Sequence, residues 1–263
     1  MRKQLPPTAL QRDRRFNRVT TEERFADERP NDIGQDRLLD TGVFDASDRA
    51  RRQMHGIFVG EIQALEGAGR TAFDYTIDET PFAMKLDMAR QCWDEARHVE
   101  ISVRLGDHMG SEIGEWSEAV TLFEAACHGD PVFRLAGVNR ALEGLAIDVF
   151  TTMRDFADDM DDPVLFFCED WMLADEVTHV KMGSTWLREL TKDDKDRQSR
   201  ALDFQRTVDG LFNFRGSRGE TREHSIRLAR TFREMAGFKS EEIDEIATMS
   251  DAQRAQRSVA TAY

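Results

Sequence analysis

The chain has 263 residues, 40 % of them hydrophobic and 33 % charged, with a formal net charge of −14; this is enough for one main domain with a dry core, and the acidic balance opposes binding to nucleic-acid phosphates. Three cysteines (Cys92, Cys127, Cys168) at no metal-binding spacing argue against a disulfide framework. No apolar run approaches the roughly 18 residues that a bilayer span needs, and the charged start MRKQLPPTALQRDRR lacks the apolar stretch of a signal peptide, so the expectation is a cytoplasmic protein with no membrane and no nucleic-acid partner.

Residues 1–45 carry Arg2, Lys3, Arg12, Arg14, Arg15 and Arg18 with few apolar residues. They read as an extended N-terminal arm that straps the bundle or a neighbouring subunit, which leaves room for a homodimer. Residues 46–191 read as four long helices. The first runs from about Ser47 to Tyr75, where Met54, Ile57, Phe58, Glu61, Ala64, Leu65 and Ala68 repeat at three-and-four spacing. Thr80-Pro81, Asp130-Pro131 and Asp162-Pro163 open the other three, each an N-cap side chain followed by proline at the first helical position. Gly106 is expected to end the second helix. The inward faces predicted are Ala89, Cys92, Ala96, Val99 and Val103 in the second helix, Val138, Leu142, Ala146 and Val149 in the third, and Leu165, Met172, Leu173, Val180 and Gly183 in the fourth.

The connection from Gly106 to Gly129, with a short helix expected near Ser117 to Cys127, is long enough to cross a bundle end to end, whereas the other two connections are short. The fold class is therefore all-α, a four-helix bundle of two antiparallel hairpins joined by one crossover. Residues 192–263 contain amphipathic segments near Asp196 to Phe212, Thr221 to Met235 and Glu241 to Met249, read as accessory C-terminal helices.

Two stretches interrupt the apolar stripes: Asp94-Glu95-Ala96-Arg97-His98 and Asp175-Glu176-Val177-Thr178-His179. A Glu and a His three apart share a helix face, so each stretch can present one carboxylate and one imidazole to a metal ion. A lone mid-helix Glu precedes each, Glu61 by 34 residues (95 − 61) and Glu143 by 33 (176 − 143), and Glu61-Ile-Gln-Ala64-Leu-Glu66 echoes Glu143-Gly-Leu-Ala146-Ile-Asp148. This duplication predicts a two-metal centre held by Glu61, Glu95, His98, Glu143, Glu176 and His179, with four carboxylates balancing two divalent cations. Glu66 competes with Glu61 as a ligand, and the bland alternative is a set of buried salt bridges to Arg97, Arg104 or Arg140.

The paired motifs resemble those of ferritin-like di-iron carboxylate proteins, and Asp94-Glu95-x-Arg97-His98 is similar to the form in the oxygen-activating branch: multicomponent monooxygenases, acyl carrier protein desaturases and ribonucleotide reductase small subunits. The wider wording over about residues 50 to 190, including DEVTHVKMG, most resembles the bacterial domain-of-unknown-function family 455. The resemblance implies that Asp94 and Asp175 each accept from the opposite helix's metal-bound imidazole, with Arg97 pairing to such a carboxylate. It implies two Fe ions, or Mn, or a mixed Mn/Fe pair, and an oxidoreductase that uses O2 and an external electron donor to hydroxylate, desaturate or N-oxygenate a small-molecule substrate. The alternatives are an iron-handling or peroxide-scavenging protein of ferritin or rubrerythrin type, and a non-catalytic accessory subunit with a structural metal. Glu169, seven residues before Glu176 on the same face, either edges the site or, as the preferred reading, is a solvated or salt-bridged carboxylate; Trp93 and Trp171 either relay electrons or, preferred, pack in the core; His55, His108, His128 and His224 read as surface or capping residues.

Overall fold

The computed structural model describes residues 17–19, 46–113, 117–119, 121–213, 218–220 and 226–249. Most of the N-terminal arm, and His224, lie outside the described residues. In chain order the elements are β1 (Asn17–Val19), α1 (Ala46–Phe73), α2 (Phe82–His108), β2 (Ser117–Ala119), α3 (Thr121–Ala126), α4 (Pro131–Arg134), a π-helical segment (Leu135–Leu142), α5 (Glu143–Asp159), α6 (Pro163–Leu190), α7 (Lys195–Asn213), β3 (Arg218–Gly219), β4 (Ile226–Arg227) and α8 (Arg230–Met235). Residues 240–249 are also helical. β1 pairs in parallel with β2, and β3 with β4. Among the described residues the protein is helical apart from these short pairings.

Side-chain contacts fix the directions of the long helices. Lys85 Nζ donates to Ala72 O and Cys92 Sγ to Leu65 O, so α1 and α2 are antiparallel. His98 faces Asp175 and Asp94 faces His179, so α2 and α6 are antiparallel as well. Arg154 meets Asp170, which makes α5 and α6 antiparallel. α2 and α5 therefore run in the same direction, and the chain between them has to return along the length of the bundle.

Helix ends follow local chemistry. Asp130 Oδ1 accepts from Val132 N, and Asp162 Oδ1 from Val164 N and Leu165 N, capping α4 and α6. Thr80 does not cap α2: Pro81 stands at the cap position, and Thr80 Oγ1 donates to Thr76 O instead. Nor does α2 stop at Gly106. It continues to His108, and Gly110, at φ +75°, turns the chain out with Ser111 N bonded to Gly106 O. The helix expected across Ser117 to Cys127 is a strand followed by the single short α3, and of the segment from Thr221 to Met235 only Arg230–Met235 is helical among the described residues.

Met54, Ile57, Leu105, Ile147, Phe150, Met153, Leu165, Met172, Leu173 and Val180 form the main core, and Leu228, Ala229, Ala236, Phe238, Ile243 and Ile246 from the C-terminal part share it. Met84, Met88, Val132, Leu135, Ala136, Leu187 and Ala201 form a second cluster toward the other end. Each Val, Leu, Ile, Phe or Met among them stabilises by about 1.5–3 kcal/mol when fully buried, and each Ala by less. The inner stripe of α2 differs from the expected one: Met84, Met88, Gln91, Glu95, His98, Ser102 and Leu105 are buried, while Ala89 and Ala96 are exposed. Two polar residues, Gln91 and Ser102, occupy inward positions, so a stripe drawn through apolar residues alone is rotated off the true one.

Candidate metal centre

Between the two apolar clusters, mid-helix side chains from α1, α2, α5 and α6 converge. Glu61, Glu95, His98 and Glu176 form one group whose ligand atoms lie within 4.8 Å of one another, and Glu95, Glu143, Glu176 and His179 form a second. Glu95 and Glu176 belong to both. All six residues are buried. His98 Nδ1 lies 3.3 Å from Glu61 Oε2, 3.2 Å from Glu95 Oε2 and 3.1 Å from Glu176 Oε1. His179 Nδ1 lies 3.2 Å from Glu95 Oε1 and 3.5 Å from Glu176 Oε2.

The outer ring nitrogens face the opposite way. His98 Nε2 is 3.3 Å from Asp175 Oδ2, and His179 Nε2 is 3.3 Å from Asp94 Oδ2. Each Asp thus serves the opposite helix's imidazole at Nε2 and turns Nδ1 inward, where it would be a nitrogen ligand for an ion once its inner proton is lost. Arg97 donates to both Asp94 and Asp175, at 3.3 Å to the latter. Its guanidinium carbon lies 4.7 Å from the Trp171 ring centre and 6.0 Å from that of Trp93. Neither tryptophan is core: Trp93 is 66 % exposed and Trp171 36 %. They flank Arg97 as a rim outside the histidines, because positions 93 and 171 fall on the outer sides of α2 and α6.

Burial disfavours charge on Glu61, Glu95, Glu143, His98 and His179, and neighbours decide which way each of these moves. Burial, then the charge of Glu95, raises Glu61 well above the ordinary carboxyl pKa; burial, then the charge of Glu176, does the same to Glu143. Burial also opposes the Glu95 carboxylate, but the charge and hydrogen bond of His179 and the hydrogen bond of His98 hold its pKa well below the usual range. The two imidazoles rise against burial, His98 through Asp175, Glu176, Glu61 and Glu95, and His179 through the charges of Glu95 and Glu176 and the Asp94 hydrogen bond. A cation entering this cluster would compete with the protons on it, so its uptake would release protons.

The donor set fits a metal. Glu95 Oε2, both Glu176 carboxylate oxygens and His179 Nδ1 are buried with only other members of the cluster beside them, at 3.1–3.5 Å, and such a concentration of acids and imidazoles is costly unless something coordinates it. The alternative of salt bridges to arginine is not what the structure has: Arg97 goes to the two aspartates, Arg104 to Glu100, and Arg140 to Gln205, Ser184 and Glu242. Glu66 is half-buried and stands outside both groups.

Three residues around the centre escape a search for ligand motifs. Gln91 Nε2 donates to Glu95 Oε1 at 3.0 Å and to Glu143 Oε1 at 2.7 Å, and Asn139 Nδ2 donates to Gln91 Oε1 at 2.7 Å. Asn139 sits in the π-helical segment, where an uninterrupted α-helix is the simplest expectation from the sequence; such segments recur at functional sites. Glu169, expected at the surface or in a salt bridge, is fully buried with both oxygens unpartnered, and burial raises its pKa well above the ordinary range. Its seven-residue interval to Glu176 was the available signal. The other histidines divide: His108 pairs with Asp162 and His128 stacks on Phe133 and accepts from Asp130 N, but His55 is buried, and that burial lowers its pKa to about 4.

Cys92, Cys127 and Cys168 are free thiols, and among the described residues no helix is long and apolar enough to cross a membrane. Neither the curated proteins nor the solved structures contain a match to the chain. A family model does match, over residues 11–244. With nearly the whole chain covered, the protein belongs to the family described as protein of unknown function, DUF455.

Proposed function

We propose that this protein is a ferritin-like oxidoreductase whose two-metal centre, di-iron or mixed manganese and iron, activates O2 to oxidise a small organic substrate. The observation that carries the reading is the sharing of Glu95 and Glu176 between two four-residue groups, each completed by its own Glu and an inward-facing imidazole Nδ1. Two helical hairpins with a long crossover, contributing Glu and then Glu-x-x-His from each half, are the architecture of ferritin-like carboxylate centres. An oxygen-rich set with two imidazoles suits Fe or Mn.

Glu61 and His98 would hold one ion, Glu143 and His179 the other, with Glu95 and Glu176 spanning both. When bound, such a metal pair would supply electrons to O2, and an external donor would have to restore them. Asp94 and Asp175 keep the outer imidazole protons in place, and Arg97 ties these two carboxylates together across α2 and α6. Phe150, edge-on to the His98 ring at 6.3 Å, helps to exclude water from that side.

Anaerobic titration with ferrous iron, followed by oxygen-uptake measurement, tests the reading. The expected result is a plateau near two ions per chain and consumption of about one O2 per pair. Glu95→Ala and Glu176→Ala are expected to lose bound metal by elemental analysis while keeping their helical circular dichroism. Uptake of tens of ions per chain would favour iron storage, and a chain that binds no ion would overturn the metal centre altogether.

A further inference from the structure

The duplicated motif allows a residue-by-residue comparison of the two halves. Asp94-Glu95-x-x-His98 and Asp175-Glu176-x-x-His179 are offset by 81, so Gln91, four before Glu95, corresponds to Met172, four before Glu176. Glu61 and Glu143 are offset by 82, so Asn139, four before Glu143, corresponds to Ile57, four before Glu61. The amide pair, one member from each half, thus stands on one side of the centre, and the equivalent pair on the other side is Met172 and Ile57, both buried in the main apolar core.

The amide pair is fully engaged. Gln91 gives its two N–H bonds to Glu95 and Glu143, and its oxygen accepts from Asn139. This fixes its orientation, because the flipped amide would set an oxygen against two carboxylates. The fold is shaped around the pair: a Cβ at Gly183 would stand 2.3 Å from Asn139 Cβ, so only glycine lets α6 approach the π-helical segment so closely. On the other side Glu61 has His98 as its hydrogen-bond partner within the cluster, and no amide reaches it.

From this asymmetry, and resting on the metal-centre reading above, we infer that Gln91 is a positioning residue that makes the two metal positions unequal. It preorganises the position served by Glu143 and His179, which fills first and retains its ion. The position served by Glu61 and His98, where the corresponding residues are the apolar Met172 and Ile57, binds its ion second and is the exchangeable one.

Titration of the full-length apoprotein with Mn(II), by calorimetry and by electron paramagnetic resonance, tests this. The wild type is expected to bind two ions in two resolved steps, giving an isolated-ion signal at one equivalent and a spin-coupled pair only at two. Gln91→Met is expected to weaken the first step by about 10–100-fold and the second by less, since Glu95 is shared, so that at one equivalent part of the isolated-ion signal gives way to empty and paired chains. Asn139→Ala, which leaves Gln91 in place but unanchored, moves the first step in the same direction by less and serves if Gln91→Met does not fold. Two indistinguishable steps in the wild type would overturn the inference while leaving the two-metal centre standing. Equal weakening of both steps in the variants would reduce Gln91 to a structural residue. A wild type that binds no Mn(II) and no ferrous iron would overturn both readings.

Discussion

Glu169 is the residue that the fold carries at a cost. Its carboxyl is fully buried among Leu165, Met172 and Leu173 on the same helix face, with neither oxygen hydrogen-bonded. Burying such a group costs about 1–3 kcal/mol, and its position corresponds to the apolar Met88 in the other half of the duplicated motif (88 + 81 = 169). Because burial raises its folded pKa, the native chain binds more protons than the unfolded chain above the ordinary carboxyl pKa. Stability is then full below that pKa and falls as pH rises toward the folded value. Glu169→Leu is expected to raise the Tm by about 2–8 °C, with a larger gain near pH 8 than near pH 6. Thermal melts at the two pH values would show it, and a variant less stable than wild type at both would mean that the carboxyl has a partner the static structure does not reveal.

Among the elements, helix ends and helix approaches carry separable contributions. Asp162 caps α6 with two backbone N–H groups and pairs with His108; burial opposes its charge, but these partners hold its pKa below the ordinary value. The stability it adds is present above the unfolded carboxyl pKa and disappears as pH falls through the depressed folded one. Asp162→Ala is expected to cost about 1 kcal/mol at neutral pH and nothing in acid below both pKa values, measurable by urea melts. Gly183→Ala tests the approach of α6 to the π-helical segment. A methyl group driven into Asn139 should cost about 1–3 kcal/mol, and a neutral result would show that the segment can move aside.

At the scale of the molecule, the C-terminal part is wedged into the bundle by buried charge. Arg233 donates to both oxygens of Asp148 at 2.9 and 2.8 Å and to Gly144 O at 2.6 Å, while Arg218 pairs with Asp209 at 3.0 Å and faces Asp148 at 3.7 Å. Asp148 also accepts from Ala229 N. All four charged side chains are buried. Removing one partner strands a charge in the interior, so Arg233→Leu is expected to destabilise by about 3–5 kcal/mol. The exposed pair of Arg206 with Glu245 provides the contrast, and Arg206→Ala should cost under about 1 kcal/mol in the same denaturant assay. This network stands one helical turn beyond Glu143, so it also holds α5 at the depth where that carboxylate meets α2 and α6.

The sequence by itself determined the all-helical class, the aspartate caps at Asp130 and Asp162, and the set of six acids and imidazoles that converge. These are governed by short-range rules: a carboxylate oxygen reaches the next N–H groups of its own helix, and a three-residue interval places Glu and His on one face whatever surrounds them. Duplicated spacing made the set legible, because a coincidence repeated at 34 and 33 residues has no cause in composition. Tertiary structure decided everything that depends on a partner from a distant helix. Gln91 and Ser102 are absent from a stripe drawn through apolar residues, and only packing against Asn139 and Glu143 makes Gln91 an inner one. Trp93 and Trp171 looked like core because of their size, and the rotation of α2 and α6 set by the buried acids turned them outward. The π-helical segment, the burial of Glu169 and the docking of Arg233 on Asp148 likewise follow from how whole helices fit together. No interval along the chain encodes which of two similar faces another helix will cover.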